Sequence, residues 1–215
     1  LRADVAAASA DDRGRDIATL ERHTAIAAAL GVRTMVMHPG GRDLVNSDEE
    51  VAESRRLNVA AFRRLGDFAG GRNMCIGLEN LMRRGASTPS DMIDLLDAIG
   101  HPAIGITFDS SHARVASLDI PAALRAFGPH LVATHISDNN GSGDQHLTPG
   151  GGTIEWRPLM EAFRDTGYSG MFNLEMPGER HPDPELHALK TRHALEVARW
   201  LVAIARPIQD PKDKR

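Results

Sequence analysis

Five short apolar runs in this 215-residue sequence each give way to a side chain that can bind a cation or move a proton. Val32–Met37 is followed by His38, Met74–Leu78 by Glu79, Ile104–Phe108 by Asp109, Leu131–Thr134 by His135, and Met171–Leu174 by Glu175. Carboxylates and imidazoles serve two chemistries near neutral pH, the coordination of divalent ions and general acid or base catalysis. Two glutamates, one aspartate and one histidine form a hard, oxygen-rich donor set with one imidazole, suited to Mn, Mg, Co or Zn. No thiolate accompanies them, which disfavours softer metals. Taken singly, Asp109 is as well explained as a helix N-cap, and His38 as a structural histidine. Glu79 and Glu175 are harder to set aside, because each stands where an apolar strand stops and burial of an unpaired carboxylate is costly without a cation.

The elements that must position these residues alternate in type. Ile17, Leu20, Thr24, Ala27 and Leu30 recur at helical spacing, with Gly31 at the stop, so a helix is predicted over about 15–30. Ser47 and Glu50 read as a capping box for a second helix carrying Leu57, Ala61, Leu65 and Phe68. Thr88-Pro89-Ser90-Asp91 starts a third, which carries Met92, Leu95, Leu96 and Ile99 and ends at Gly100. Further helices are expected over about 119–127, through Leu159 and Phe163 to a stop at Gly167, and over about 184–205. A long loop, Ser137 to Thr153, contains the turn signal Asp138-Asn139-Asn140-Gly141, in which Asp138 reads as an Asx turn.

Strands that are apolar on both faces and alternate with amphipathic helices indicate a parallel sheet covered by helices. In such a sheet all the strand carboxyl ends lie on one side, and in a barrel they ring a single pocket, so residues distant in sequence meet. The expected fold is therefore α/β, an open parallel sheet or, where the sheet closes, a barrel. Such a barrel has eight strands in about 250 residues, and five runs are legible here. Five strands fall short of a closed barrel, which is therefore expected to be incomplete. One domain is expected over 1–206, followed by a polar tail, 207–215.

Composition narrows the partners. With 41% apolar and 25% charged residues and a net charge of -4, the chain has no general attraction for nucleic acid or anionic membranes. A small-molecule partner fits better, nucleic acid is disfavoured, and a homo-oligomer is compatible with the sequence. The single cysteine, Cys75, excludes an intrachain disulfide and lies in an apolar run where it reads as a small hydrophobe. No run approaches the roughly 20 apolar residues that would span a bilayer, and the expected compartment is the cytoplasm. His101, His130, His181, His187 and His193 are expected to be structural or exposed. Met35, Met37, Met74 and Met171 are expected in the core.

Six segments, in order and at their spacing, carry a resemblance. They are Val36-Met37-His38-Pro39-Gly40-Gly41, Gly77-Leu78-Glu79-Asn80, Gly105-Ile106-Thr107-Phe108-Asp109-Ser110-Ser111-His112, His135-Ile136-Ser137-Asp138-Asn139, Asp144-Gln145-His146-Leu147-Thr148-Pro149-Gly150-Gly151-Gly152 and Asn173-Leu174-Glu175. Together they resemble the xylose-isomerase-like (β/α)8 TIM barrels, which include sugar phosphate isomerases and epimerases and the apurinic endonuclease IV group; the resemblance places the expected missing part, about three βα units, before the first helix, with an edge left open at Val32–Met37.

The resemblance implies that Glu79, Asp109, His135 and Glu175 hold one divalent ion, with no organic cofactor. It also implies an isomerase or epimerase of a sugar or sugar phosphate, in which Glu79 and Glu175 remove and return a proton beside a carbonyl, through an enediolate. His112 then looks like a substrate-binding residue, and His38, Asp144 and His146 would serve the substrate and the mouth loop. The alternative is a zinc-dependent apurinic endonuclease, in which equivalents of His38, His112, Asp144 and His146 build a multi-metal cluster. The loops at the strand ends are rich in Gly, Asp and Asn rather than lysine, which favours the sugar reading. Arg83 and Arg84 could meet a phosphate, but a solvated charge pair is the simpler expectation. Gly150-Gly151-Gly152 lacks the lysine and hydroxyl of a P-loop and reads as a flexible mouth.

Overall fold

The computed structural model describes residues 3–177 and 182–205. Strands β1 (Thr34–Met37), β2 (Cys75–Glu79), β3 (Ile104–Asp109) and β4 (Leu131–His135) pair in parallel in that order. Helices α1 (Ala10–Ala29), α2 (Asp48–Gly70), α3 (Pro89–Ile99), α4 (Ser110–Val115), α5 (Ile120–Phe127), α6 (Trp156–Thr166) and α7 (Pro184–Ala205) accompany them. The arrangement is an open half-barrel of parallel strands, and β1 has no strand partner on its outer edge among the described residues. The expected tail, 207–215, and His181 lie outside the described residues.

Local sequence explains the boundaries. α1 begins at Ala10, earlier than apolar spacing alone suggests, because the Ser9 hydroxyl accepts the Asp12 amide and two acidic residues follow in the first turn. At Thr88 and Asp91 a reciprocal capping box forms, and Gly100 closes α3 in the left-handed conformation. At α2 the box is displaced by one residue. Ser47 caps the Glu50 amide, but the Glu50 carboxylate accepts from the Asn46 amide, not from that of Ser47.

The fifth strand shrinks to a single bridge. Ile136 pairs in parallel with Leu174, while the Thr134 hydroxyl donates to the Met171 carbonyl at 3.0 Å and accepts from the Asn173 amide at 3.1 Å. A side chain thus replaces the backbone ladder over two residues. Met171, expected in the core, is 78% exposed as a result, whereas Met37 and Met74 are buried.

The core lies between the sheet and its helices. Phe62 and Leu65 of α2, Ile76 and Leu78 of β2, Ile106 and Phe108 of β3, Leu124 and Phe127 of α5 and Leu159 of α6 are fully buried. Phe108 packs against Phe127 and, edge-on, against Phe163, with ring centroids 6.3 and 6.0 Å apart. Truncating one of these rings to alanine would cost about 3–5 kcal/mol. Strand alternation then forces the other set of β2 and β3 residues to the inner side, and that set is small. A Cβ on Gly77 would stand 2.2 Å from Thr107 Oγ1, and one on Gly105 would stand 2.5 Å from Val132 Cγ1. Val132 intrudes there because the β3–β4 register shifts between Ile106 and Thr107. No helix among the described residues is long and apolar enough to cross a membrane.

Candidate metal centre and active site

Parallel pairing brings the strand-end residues to one side of the sheet. Glu79 closes β2, Asp109 closes β3 and caps α4, and His135 closes β4, while Glu175 follows the Leu174 bridge. The N-cap and ligand readings of Asp109 are therefore compatible. Its Oδ1 accepts the His112 amide at 2.7 Å, leaving Oδ2 free to face the other three residues. One donor atom from each of Glu79, Asp109, His135 and Glu175 lies within 4.8 Å of all the others.

The internal geometry distinguishes this group from an ordinary ion-pair network. His135 Nδ1 approaches Glu79 Oε1 at 3.2 Å and Glu175 Oε2 at 3.0 Å. Yet Asp109 Oδ2, His135 Nδ1 and Glu175 Oε2 are buried without an aligned hydrogen-bond partner. Buried polar atoms are normally satisfied. Three orphaned atoms aimed at a common volume, together with a buried glutamate, fit a divalent ion, and the oxygen-rich set suits a hard one.

The electrostatics without an ion are correspondingly frustrated. Burial, reinforced by Glu79 and Glu175, pushes the Asp109 carboxyl well above the usual range. Burial also opposes ionisation of Glu79, but the imidazoles of His135 and His38 prevail and hold it below the ordinary carboxylate value. At His135 burial disfavours the cation, while the nearby Glu175 and Glu79 carboxylates favour it and push the imidazole up to about 10. The neighbouring His135 lowers Glu175.

The other expected site residues gather around this group. His38 Nε2 lies 3.1 Å from Glu79 Oε2. His112 Nδ1 lies 2.8 Å from the Asn80 carbonyl and 3.3 Å from Glu79 Oε1, which leaves Nε2 facing Asp144 Oδ2 at 3.4 Å. His146 Nε2 meets the same Asp144 oxygen at 2.8 Å, and its Nδ1 lies 3.3 Å from the Glu175 carbonyl. His146 holds a left-handed φ of 49°, uncommon for a residue with a Cβ.

Several supporting residues are not evident from sequence. Asn80 extends the β2–β3 ladder with its side chain, accepting from the Asp109 amide at 2.8 Å and donating to the Asp109 carbonyl at 3.1 Å. The Ser110 hydroxyl ties β3 to the end of β4, donating to the Ser137 carbonyl at 2.7 Å. The only sequence signal for either is adjacency to Glu79 and Asp109. Arg83 and Arg84 turn away from any phosphate role. Arg83 donates to the carbonyls of Pro39, Gly40 and Gly41, and Arg84 pairs with Asp48. Of the remaining histidines, His101 accepts the Ala103 amide, and His187 and His193 are exposed.

Asp138 departs from the expected Asx turn. That turn is made by Asn139 and Asn140, whose side-chain oxygens accept the amides of Gly141 and Ser142. The fully buried Asp138 instead accepts the Gly150 amide with Oδ2 at 2.9 Å, so a carboxylate of the chain itself occupies the glycine run.

Comparison with known proteins agrees with this architecture. A family model described as xylose isomerase-like TIM barrel matches residues 2–201. An uncharacterized protein of Sinorhizobium fredii, y4fM, is 28% identical over 189 residues, covering 86% of this chain and 60% of that protein. The D-psicose 3-epimerase of Enterocloster bolteae is 28% identical over 134 residues, covering 61% of this chain and 42% of the epimerase. The chain thus spans less than two thirds of the length of either. A crystal structure of D-psicose 3-epimerase in the presence of D-fructose superposes with a TM-score of 0.77 at 19% identity, over 93% of this chain and 75% of that one.

Proposed function

Since the chain belongs to the xylose isomerase-like TIM barrel family, we propose that its parent protein is a metal-dependent sugar isomerase or epimerase. The observation that carries this reading is the convergence of Glu79, Asp109, His135 and Glu175, three of which direct an orphaned buried atom at one volume. Relatedness to a D-psicose 3-epimerase supplies the substrate class. These four residues would hold one divalent ion, Mn, Mg, Co or Zn. An ion bound there would supply positive charge against the negative charge that develops beside the carbonyl of a hydroxy-ketone.

The residues of the chain do the rest. Glu79 and Glu175 remove and return the proton on the carbon beside the carbonyl, and each is oriented for the task. Glu79 Oε2 is held by His38 at 3.1 Å, and Glu175 stands beside His135, with its backbone carbonyl near His146. A carboxylate fixed in this way loses little orientational freedom when it reaches the reacting carbon. His112, Asp144 and His146 would bind the sugar hydroxyls, together with His38, whose ring lies edge-on to that of His112 with centroids 6.5 Å apart.

A second reading has one observation in its favour. Asp144 Oδ2 joins the Nε2 atoms of His112 and His146, a donor arrangement that a second ion could use, as a zinc phosphodiesterase would require. Against it, the loop from Asn139 to Gly152 contains no lysine or arginine for a nucleic-acid backbone.

The test is a panel of ketohexoses incubated with the full-length parent protein, with and without a chelator, and with Glu175→Gln. We expect epimerised or isomerised sugar only in the untreated parent. Chelator-resistant turnover would remove the metal from the reading. Cleavage of an abasic duplex without turnover of any sugar would replace it with the second one.

A further inference from the structure

We propose that Asp138 is a positioning residue, whose carboxylate fixes the mouth loop and thereby sets where Asp144 and His146 meet the sugar. The inference rests on the sugar-isomerase reading for its substrate and on the loop geometry for its mechanism.

Asp138 lies three residues beyond His135 and is fully buried. Both of its oxygens are committed. Oδ1 accepts the amides of Asn139 at 2.9 Å and Ile154 at 3.1 Å, and Oδ2 accepts the Gly150 amide at 2.9 Å and Trp156 Nε1 at 3.0 Å. Its backbone forms an antiparallel bridge with Leu147, closed by 2.8 Å hydrogen bonds in both directions. A single residue therefore gathers the start, middle and end of the loop. Buried carboxylates bonded to backbone amides are strong, directional anchors. Gly152 is needed for the same contact, because a Cβ there would stand 2.3 Å from Asp138 Oδ1 and 2.4 Å from the Asn139 carbonyl oxygen.

This anchor is transmitted to the site over a short path. His146 precedes the bridged Leu147, and its left-handed backbone persists only if its surroundings over-determine it. The Leu147 bridge holds one side, and Asp144 and the Glu175 carbonyl hold the imidazole. None of Glu79, Asp109, His135 and Glu175 lies on the loop. Loosening Asp138 should therefore disturb sugar binding and leave the metal ligands in place.

The test compares Gly152→Ala, Asp138→Asn and the milder Trp156→Phe in the full-length parent. Backbone amide exchange over 139–155 should accelerate about tenfold or more, while amides of β2, β3 and β4 keep their protection. Affinity for Mn2+ should stay within about twofold, and KM for D-fructose should rise about tenfold with a smaller change in kcat. If Asp138 acts through His146, the KM effect of Gly152→Ala should disappear in a His146→Ala background. Unchanged loop exchange, loss of Mn2+ affinity together with loop protection, or additive KM effects would each overturn the proposal. Should the parent turn over no sugar, the functional reading fails, and the exchange and Mn2+ measurements still decide the role of Asp138. Trp156→Phe keeps an aromatic ring at this buried position and removes the donor to Asp138, so it reports even if Asp138→Asn does not fold.

Discussion

His135 Nδ1 lies 3.0 Å from Glu175 Oε2, and neither atom has an aligned hydrogen-bond partner. In the absence of an ion, the imidazole is driven towards its cationic form, with its pKa raised from 6.5 to about 10. The proton on His135 and a divalent ion then compete for one set of donors. Between pH 6 and 8 the ion must displace at least that proton, so apparent affinity should rise with pH by roughly tenfold per unit for each proton released. Titrating Mn2+ into the apo protein in buffers of different ionisation enthalpy would count the protons. An affinity independent of pH over this window would show that His135 is neutral before binding. For the apo protein the sign is opposite: the raised pKa stabilises the fold below about pH 6.5, and that contribution is lost as pH rises through about 10.

Asp109 carries most of the electrostatic cost of gathering these carboxylates. Its folded carboxyl titrates well above the 3.8 of an unfolded one, because it is buried and faces Glu79 and Glu175. Above pH 3.8 the unfolded chain releases this proton more readily than the folded one, so apo stability falls as pH rises through that interval. Asp109→Asn removes the repulsion and keeps an N-cap of equal quality for α4. We expect the apo variant to be about 1 kcal/mol more stable at pH 7, with Tm about 2–4 °C higher, and to have lost Mn2+ binding. A lower apo Tm would contradict the account of the site as electrostatically frustrated.

What the sequence made legible follows from periodicity. The apolar runs ending at Met37, Leu78, Phe108 and Thr134 could be read as strands because each is short, apolar and preceded within three residues by Gly or Pro. Glu79, Asp109, His135 and Glu175 could be singled out because parallel topology sends every strand end to one side. The fifth run failed as a strand because its partner there is a threonine hydroxyl, not a backbone ladder. Asp138 was misread for a related reason. A local turn signal is visible in four residues, whereas its amide partners at Gly150 and Ile154 are set by the closure of a loop. The short helix α4 escaped notice because six residues carry too little periodicity to register.

Arg83 offers a test of the support beneath His38. Its guanidinium donates to the carbonyls of Pro39 at 2.6 Å, Gly40 at 2.7 Å and Gly41 at 3.2 Å, spanning the turn that follows β1. Arg83→Met removes these bonds, orphaning the Pro39 carbonyl while Gly40 keeps the Ser54 and Asn58 side chains and Gly41 keeps the Leu44 amide, and should lower stability by about 1–2 kcal/mol. Arg83→Lys should recover less than half, since a compact ammonium cannot span three acceptors as the planar fork does. Urea denaturation of the three proteins would measure this. Full recovery by lysine would mean that charge alone, not the fork, holds the turn.

Metal content separates the two catalytic readings with a pair of substitutions. Glu175 contributes an orphaned oxygen to the convergent group, whereas the ring nitrogens of His146 meet Asp144 and the Glu175 carbonyl. If one ion is held by Glu79, Asp109, His135 and Glu175, then Glu175→Gln should reduce bound metal from about one ion per chain to nearly none, because a neutral amide weakens a carboxylate ligand position. His146→Ala should leave that ion in place and weaken sugar binding, with KM rising about tenfold. If instead two or three ions share His38, His112, Asp144 and His146, the parent will hold more than one ion and His146→Ala will lose at least one of them. Elemental analysis of the full-length parent and both variants, purified without chelators, decides between these outcomes, since only the multi-metal site predicts that a mouth-loop histidine controls metal stoichiometry.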